Sequence, residues 1–271
     1  MQEEEEEEEF DPIQKKINAI IELCKKKDGM YGDTDFPPND SSLYKDLMQL
    51  PDYAEHCPVV EWMRPQENGI KDGDNAEEAW CMIKNGLRPG DVKQGILGDC
   101  FLLGALMVLA TRPELLQNLI VHDGIEQGFA VFQFFKNGKW EQVLIDTRIP
   151  YNKETKTPLY ARCTDPTEFW VPLMEKAYAR LHSCYETIHG GSMSQAMVDL
   201  TGGISEKLYL EAPECKEMIE NGQLWKDLRK WRQQKFLLGC SKSVKDEDGN
   251  QEEENLNSGI IQNHAYGIED V

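Results

Sequence analysis

The sequence predicts an α+β fold in two lobes, on three observations. One run, Cys100 to Thr111, is apolar on every side, as a buried helix is. Two β-rich runs, Phe129 to Phe135 and Trp140 to Ile145, flank Lys136-Asn137-Gly138-Lys139, and Asn-Gly between such runs signals a hairpin. Helical spacing dominates early and strand-like runs late, rather than alternating as in a parallel α/β sheet. A chain of 271 residues can bury one large core or two smaller ones.

The elements follow in order. Glu3 to Glu9 is an unbroken acidic run that buries nothing, so residues 1–12 are expected to be a disordered acidic terminus. Ile13, Ile17, Ile20, Ile21 and Cys24 recur at helical spacing, so a short amphipathic helix ends near Lys27. Asp33 to Ser42 reads as a loop, the residues around Trp62 as extended, and the glycine-rich stretch Asn85 to Gly98 as irregular. After the hairpin, Asp165-Pro166 predicts a helix running to about Tyr185. Met193 to Ile204 reads as loop, Leu224 to Gln234 as helix, and Phe236 to Cys240 and Ile260 to Ile268 as strands. The acidic insert Lys245 to Glu254 is expected to be a solvated loop rather than a gate over a cleft.

The net charge is −20. Such a chain repels nucleic acid and anionic lipid, and its natural ionic partners are multivalent cations. The first residues lack the basic and apolar regions of a secretory signal. The longest apolar stretch, Phe101 to Ala110, is too short to span a bilayer. Eight cysteines show no Cys-x-x-Cys pair, and without an export signal they are expected to be reduced thiols in the cytoplasm.

Among those thiols Cys100 stands out. A glycine-containing loop, Gln94-Gly95-Ile96-Leu97-Gly98-Asp99, delivers it to the first turn of the buried helix, where positive potential favours thiolate. Gln94 is placed to offer a side-chain amide to an oxyanion beside the Cys100 N–H. By itself this pattern also fits a small buried residue that begins a core helix. A thiol nucleophile needs an imidazole. His56, His122, His182 and His189 read as surface residues, whereas His264 lies inside the apolar run Ile260 to Ile268.

The Gln94 to Phe101 segment and Gln262-Asn263-His264-Ala265-Tyr266 resemble the nucleophile and histidine motifs of the calpains. The likeness extends to Asp35-Phe36-Pro37-Pro38 with Ser41-Ser42-Leu43, and to Trp62-x-Arg64-Pro65. Further along it takes in Phe169-Trp170, Glu175-Lys176-Ala177-Tyr178-Ala179 and Val198 to Gly203. The resemblance implies a papain-like two-lobe fold. Residues 13–190 would form a complete helical lobe carrying Cys100, and residues 191–271 the start of a β-rich lobe carrying His264. It implies a calcium-dependent intracellular cysteine endopeptidase acting on protein substrates, with additional domains or subunits. Cys100 would attack, Gln94 and the Cys100 N–H would hold the oxyanion, and His264 would protonate the leaving amine. For calcium the resemblance implies Asp91, Glu175 and a carbonyl near Gly86. Glu175 falls outside the apolar arc of its helix, which suits a ligand and a solvated carboxylate equally.

Three departures qualify the likeness. Phe101 stands where a Trp is usual, and Asn263 where Gly precedes the histidine. Val271 is reached before the Asn that orients the imidazole and the Asn-Pro-Trp-Gly block of the family. The β-rich lobe is therefore expected to be truncated, and the alternative expectation is a catalytically inactive module that binds partners or calcium.

Overall fold

The structure, a computed structural model, describes residues 12–67, 80–242, 254–256 and 260–271, apart from the side chains of His56 and 254–256. The acidic terminus before Pro12 and most of the acidic insert lie outside the described residues.

In chain order the helices and strands are α1 (Pro12–Lys27), α2 (Asp40–Leu43), β1 (Val60–Met63), β2 (Val92–Lys93), α3 (Cys100–Ala110) and α4 (Pro113–Gln117). Next come β3 (Ile120–Gly124), β4 (Phe129–Lys136), β5 (Lys139–Asp146), β6 (Ile149–Asn152), β7 (Arg162–Cys163) and α5 (Trp170–Leu181). Then follow α6 (Met193–Thr201), α7 (Pro213–Glu220), α8 (Gln223–Gln233), β8 (Leu238–Ser241), β9 (Glu254–Leu256), β10 (Ile260–Gln262) and β11 (Ala265–Ile268). The fold class is α+β. Strands β3, β4 and β5 form an antiparallel sheet, and β1–β6, β2–β7, β8–β11 and β9–β10 pair as antiparallel ribbons.

The hairpin forms where Asn137-Gly138 predicts it, with φ of 53° and 81° at the two turn residues. Strand β4 then alternates between two cores, as a period of two requires. Ala130, Phe132 and Phe134 join the main core with Leu102, Leu106 and Leu109 of α3 and Trp170, Leu173 and Ala177 of α5. Phe129 and Val131 turn the other way, to Ile17, Ile20 and Cys24 of α1. Helix α3 is buried on nearly every side, and each such leucine contributes roughly 1.5–3 kcal/mol on leaving water.

Four expectations are corrected. The helix after Asp165-Pro166 starts at Trp170, because the Asp165 carboxylate instead closes a turn onto the Thr167 N–H at 2.9 Å. Met193 to Thr201 is a helix, not a loop, and it packs on α3 and β4. The strand expected from Ile260 to Ile268 breaks at Asn263-His264 into β10 and β11. Finally, the largest sheet among the described residues lies in the middle of the chain and helices α6–α8 come after it, so the helix-first, strand-later order fails.

Candidate active site

The loop that carries Cys100 is held from both sides. A methyl group at Gly95 would lie 2.2 Å from the Tyr160 carbonyl oxygen, so the chain passes against that backbone too closely for any side chain. The Ile96 N–H donates to the Leu159 carbonyl at 3.2 Å. On the other side the Gly98 N–H donates to His189 Nδ1 at 3.1 Å, and the Gly190 N–H donates to the Gly98 carbonyl at 2.7 Å. Cys100 then occupies the first position of α3, half-buried, with Asp99 as the residue before the helix. Amides at a helix N-terminus point out of its end and favour negative charge there. Gln94 lies on the same loop. Its Nε2 donates to the Leu97 carbonyl at 2.9 Å, which uses one of the two amide hydrogens.

His264 approaches from the ribbon β8–β11. A methyl group at Gly104 would lie 3.4 Å from the Ala265 carbonyl oxygen. One at Gly267 would lie 2.4 Å from Val108 Cγ2 and 3.0 Å from the Gly104 carbonyl oxygen. From Ala265 to Gly267 the strand therefore advances from Gly104 towards Val108, and His264 lies on the Cys100 side. The imidazole is half-buried and packs edge-on against Tyr266, with ring centroids 5.0 Å apart. Asn263 has φ of 59°, the left-handed conformation that Gly adopts freely and Asn tolerates best among the rest. The departure from Gly before the histidine is thus accommodated without rearrangement.

The acidic residues group differently from expectation. Glu175 is 1 % exposed and both of its carboxylate oxygens accept the Ala161 N–H, at 3.0 and 3.1 Å. Its neighbour is Asp99, 0 % exposed, whose two oxygens have no hydrogen-bond donor among the described residues. Burial raises both carboxyls, and at Glu175 the Asp99 charge raises it further. Burial and mutual repulsion thus favour the protonated forms at this pair. Asp91 is elsewhere, with its Oδ2 accepting the Arg88 N–H at 2.9 Å. The carboxylate that feels its charge is Glu168, 3 % exposed and hydrogen-bonded to the Lys84 N–H at 2.7 Å. Burial first, then Asp91 and Asp165, push Glu168 up to about 7. Among the described residues no three His, Cys, Asp or Glu side chains cluster at metal-binding spacing.

The family model described as calpain family cysteine protease matches residues 31–271. The chain belongs to the calpain family.

Relatives agree across nearly the whole chain. It is 36 % identical to the calpain-type cysteine protease DEK1 of Arabidopsis thaliana over 91 % of this chain and 11 % of the relative. It is 35 % identical to a calpain of Schistosoma mansoni over 95 % of this chain and 31 % of that protein. It is 36 % identical to Calpain-A of Drosophila melanogaster over 93 % of this chain and 28 % of that protein. The chain thus spans about a tenth to a third of the length of these relatives.

In this calpain chain Gln94 and Cys100 lie at the start of α3, and the ribbon that bears His264 packs along the same helix at Gly104 and Val108. Glu175 faces the Ala161 N–H and Asp99 in the core, whereas the buried carboxyl that Asp91 raises is Glu168. Sequence reasoning passed over Glu168 because it lies in the turn just before α5, where no periodicity marks it. It also set aside His189 as a surface residue, although the ring is half-buried and bonded to the nucleophile loop.

Proposed function

We propose that the chain supplies the nucleophile and imidazole of a calcium-dependent cysteine endopeptidase that works in the cytoplasm on protein substrates. The observation that supports this reading is the docking of β11 on α3 at Gly104 and Val108, with His264 preceding β11 on the side nearer Cys100. Cys100 attacks the peptide carbonyl as thiolate. Its own N–H and the second amide hydrogen of Gln94 are the donors for the oxyanion, and His264 gives its proton to the leaving amine. Water then releases the acyl group with the imidazole as base.

Asp91 and Glu168 fit calcium better than the pairing of Asp91 with Glu175. Both are hard oxygen donors; burial chiefly raises the Glu168 carboxyl, and the nearby Asp91 and Asp165 charges raise it further. Beside them Asn85 and Gly86 both have positive φ, 60° and 87°, and the Asn85 carbonyl accepts from Arg88 Nη2 at 3.1 Å. When bound, calcium would supply the positive charge that ties the 84–91 loop to the 165–168 turn. The irregular spacing of the eight cysteines, with no Cys-x-x-Cys pair, is in keeping with a reducing compartment. No described helix is long and apolar enough to cross a membrane. Residues 13–202 form the lobe bearing Cys100, and the lobe bearing His264 begins after Gly202. Further domains or subunits complete the enzyme, in keeping with the greater length of its relatives.

The test is peptide-level mass spectrometry after treatment with an epoxysuccinyl electrophile, with calcium or chelator. Labelling of Cys100 ahead of the more exposed Cys240, and only with calcium, is the expected result. Labelling ordered by exposure alone would sink the proposal and favour an inactive calpain-like module. Labelling of Cys100 with or without calcium would remove the calcium requirement alone.

A further inference from the structure

His189 sits where the nucleophile loop meets the rest of the lobe, and its surroundings give it a task. It follows the helical turn Tyr185–Ile188 and lies flat on Tyr53, with ring centroids 4.5 Å apart and planes 17° from parallel. Gly98 is two residues before Cys100, and the segment 189–191 grips it on every polar side. The His189 ring accepts its N–H, and the Gly190 N–H holds its carbonyl. A methyl group at Gly98 would strike the imidazole at 2.9 Å, and one at Gly191 would strike the Phe101 ring at 2.6 Å. Loop, ring and the start of α3 therefore form one packed unit.

An imidazole nitrogen that accepts a hydrogen bond carries no proton, so the His189 proton is on Nε2. Protonation makes Nδ1 a donor facing another donor, and the bond becomes a repulsion. The ring borders an open depression of about 430 Å³, lined also by Lys45, Pro51, Asp52, Tyr53 and Glu186. The charged groups around His189 are Glu186 from its own turn, Asp52 from the segment beneath, and Lys45 from the loop across the depression. The Lys45 N–H donates to Glu186 at 2.7 Å. Tyr53 is a phenol that burial holds above its ordinary range, so it stays neutral. Gly98 and its loop bring no charge to the ring except Asp99, whose carboxyl turns into the core towards Glu175. Burial lowers the His189 pKa and Glu186 opposes it weakly, so the neutral form prevails at neutral pH.

We propose that His189 is a positioning residue for the nucleophile, its neutral Nδ1 clamping Gly98 and so fixing the turn that sets Cys100 at the head of α3. The proposal rests on Cys100 being the nucleophile of the reaction above. Because folding lowers the His189 pKa, the clamp is complete above the ordinary imidazole value near 6.5 and is released as pH falls through the lowered one.

The test measures the alkylation rate of Cys100 by iodoacetamide against pH, by peptide mass spectrometry, in the full chain and two variants. His189→Asn keeps an acceptor in the place of Nδ1 but does not titrate. His189→Phe keeps the stacking on Tyr53 and removes the acceptor. At about pH 7.5 His189→Asn should react within about twofold of the native chain and His189→Phe about tenfold more slowly. At about pH 5 His189→Asn should outpace the native chain by about fivefold. A ratio of His189→Asn to native that stays flat across pH overturns the proposal. So does a His189→Phe chain that alkylates normally while unfolding at the native temperature. If His189→Phe does not fold, the pH dependence of the His189→Asn ratio decides alone. Native Cys100 that follows these ratios but cleaves no protein substrate would sink the endopeptidase reading and leave the clamp standing.

Discussion

The two ends of the candidate site are built to different standards. On the Cys100 side, α3 is buried along nearly its whole length and its loop is tied to Leu159, Tyr160, His189 and Gly190. On the His264 side, a two-stranded ribbon rests on that helix, every described residue of β8 and β11 is at least half-exposed or intermediate, and α8 buries none of its residues. The nucleophile is therefore held by a core, and the imidazole by a half-exposed ribbon resting on α3. Damage to the ribbon should disable the chemistry while leaving the first lobe folded, and damage near α3 should do the reverse.

The sharpest way to break this contrast is Gly267→Val, whose side chain collides with Val108 and the Gly104 carbonyl. Misplacing a catalytic group by about 1 Å can cost on the order of 100-fold in rate, and a loss of that size is expected here. Protein-substrate hydrolysis and thermal unfolding measured together check it. A parallel loss of the first lobe's unfolding transition would show that the two sides are not separable.

A smaller effect is expected at Asn263. Asn263→Val places a β-branched residue at φ of 59°, which costs about 1–3 kcal/mol of local strain, and Asn263→Gly relieves it. The Val variant should lose about tenfold in hydrolysis and the Gly variant should match or exceed the native chain. Equal rates in all three would mean that the turn does not govern His264.

The smallest effect tests the core side. Folding raises the pKa of both Asp99 and Glu175 above the ordinary carboxyl value near 4, so the folded chain holds a proton that the unfolded chain releases. That stabilisation is full below the ordinary value and is lost as pH rises through the raised one. Glu175→Gln supplies a permanent N–H to Asp99 and an acceptor to Ala161, so it should not lose stability in this way. Its melting temperature relative to the native chain should be about 2–4 °C more favourable at pH ~8 than at pH ~5. An identical difference at both pH values would show that folding does not raise these carboxyls.

Much of this was legible in the residues. Uniform apolarity marked α3, Asn137-Gly138 marked the hairpin, and a thiol at a glycine loop's end marked Cys100. What stayed hidden was set by distant backbone. The position of Glu175 suited a calcium ligand and a solvated carboxylate equally because its partner, the Ala161 N–H, comes from another segment. Lys176, also fully buried, is satisfied by the Asp146 carboxylate and the Asp146 and Arg148 carbonyls, and burial lowers it to about 8. Charged residues on two adjacent positions of α5 hide an all-round buried helix from any periodicity argument. Glu168 and His189 matter only through Lys84 and Gly98, more than 80 positions away along the chain in each case. The break in the last strand was the one local feature open to reading, since Asn263 favours the left-handed turn that interrupts it.

The most direct measurement is Cys100 alkylation at about pH 6 in the native chain and in His264→Ala, with Cys240 as the internal reference. An ordinary thiol, with a pKa near 8.5, is well under 1 % thiolate at that pH. The expected result is that native Cys100 reacts at least tenfold faster than the more exposed Cys240 and that His264→Ala abolishes the advantage. An advantage that survives the loss of His264, or none in the native chain, would contradict the pairing of the two residues across α3.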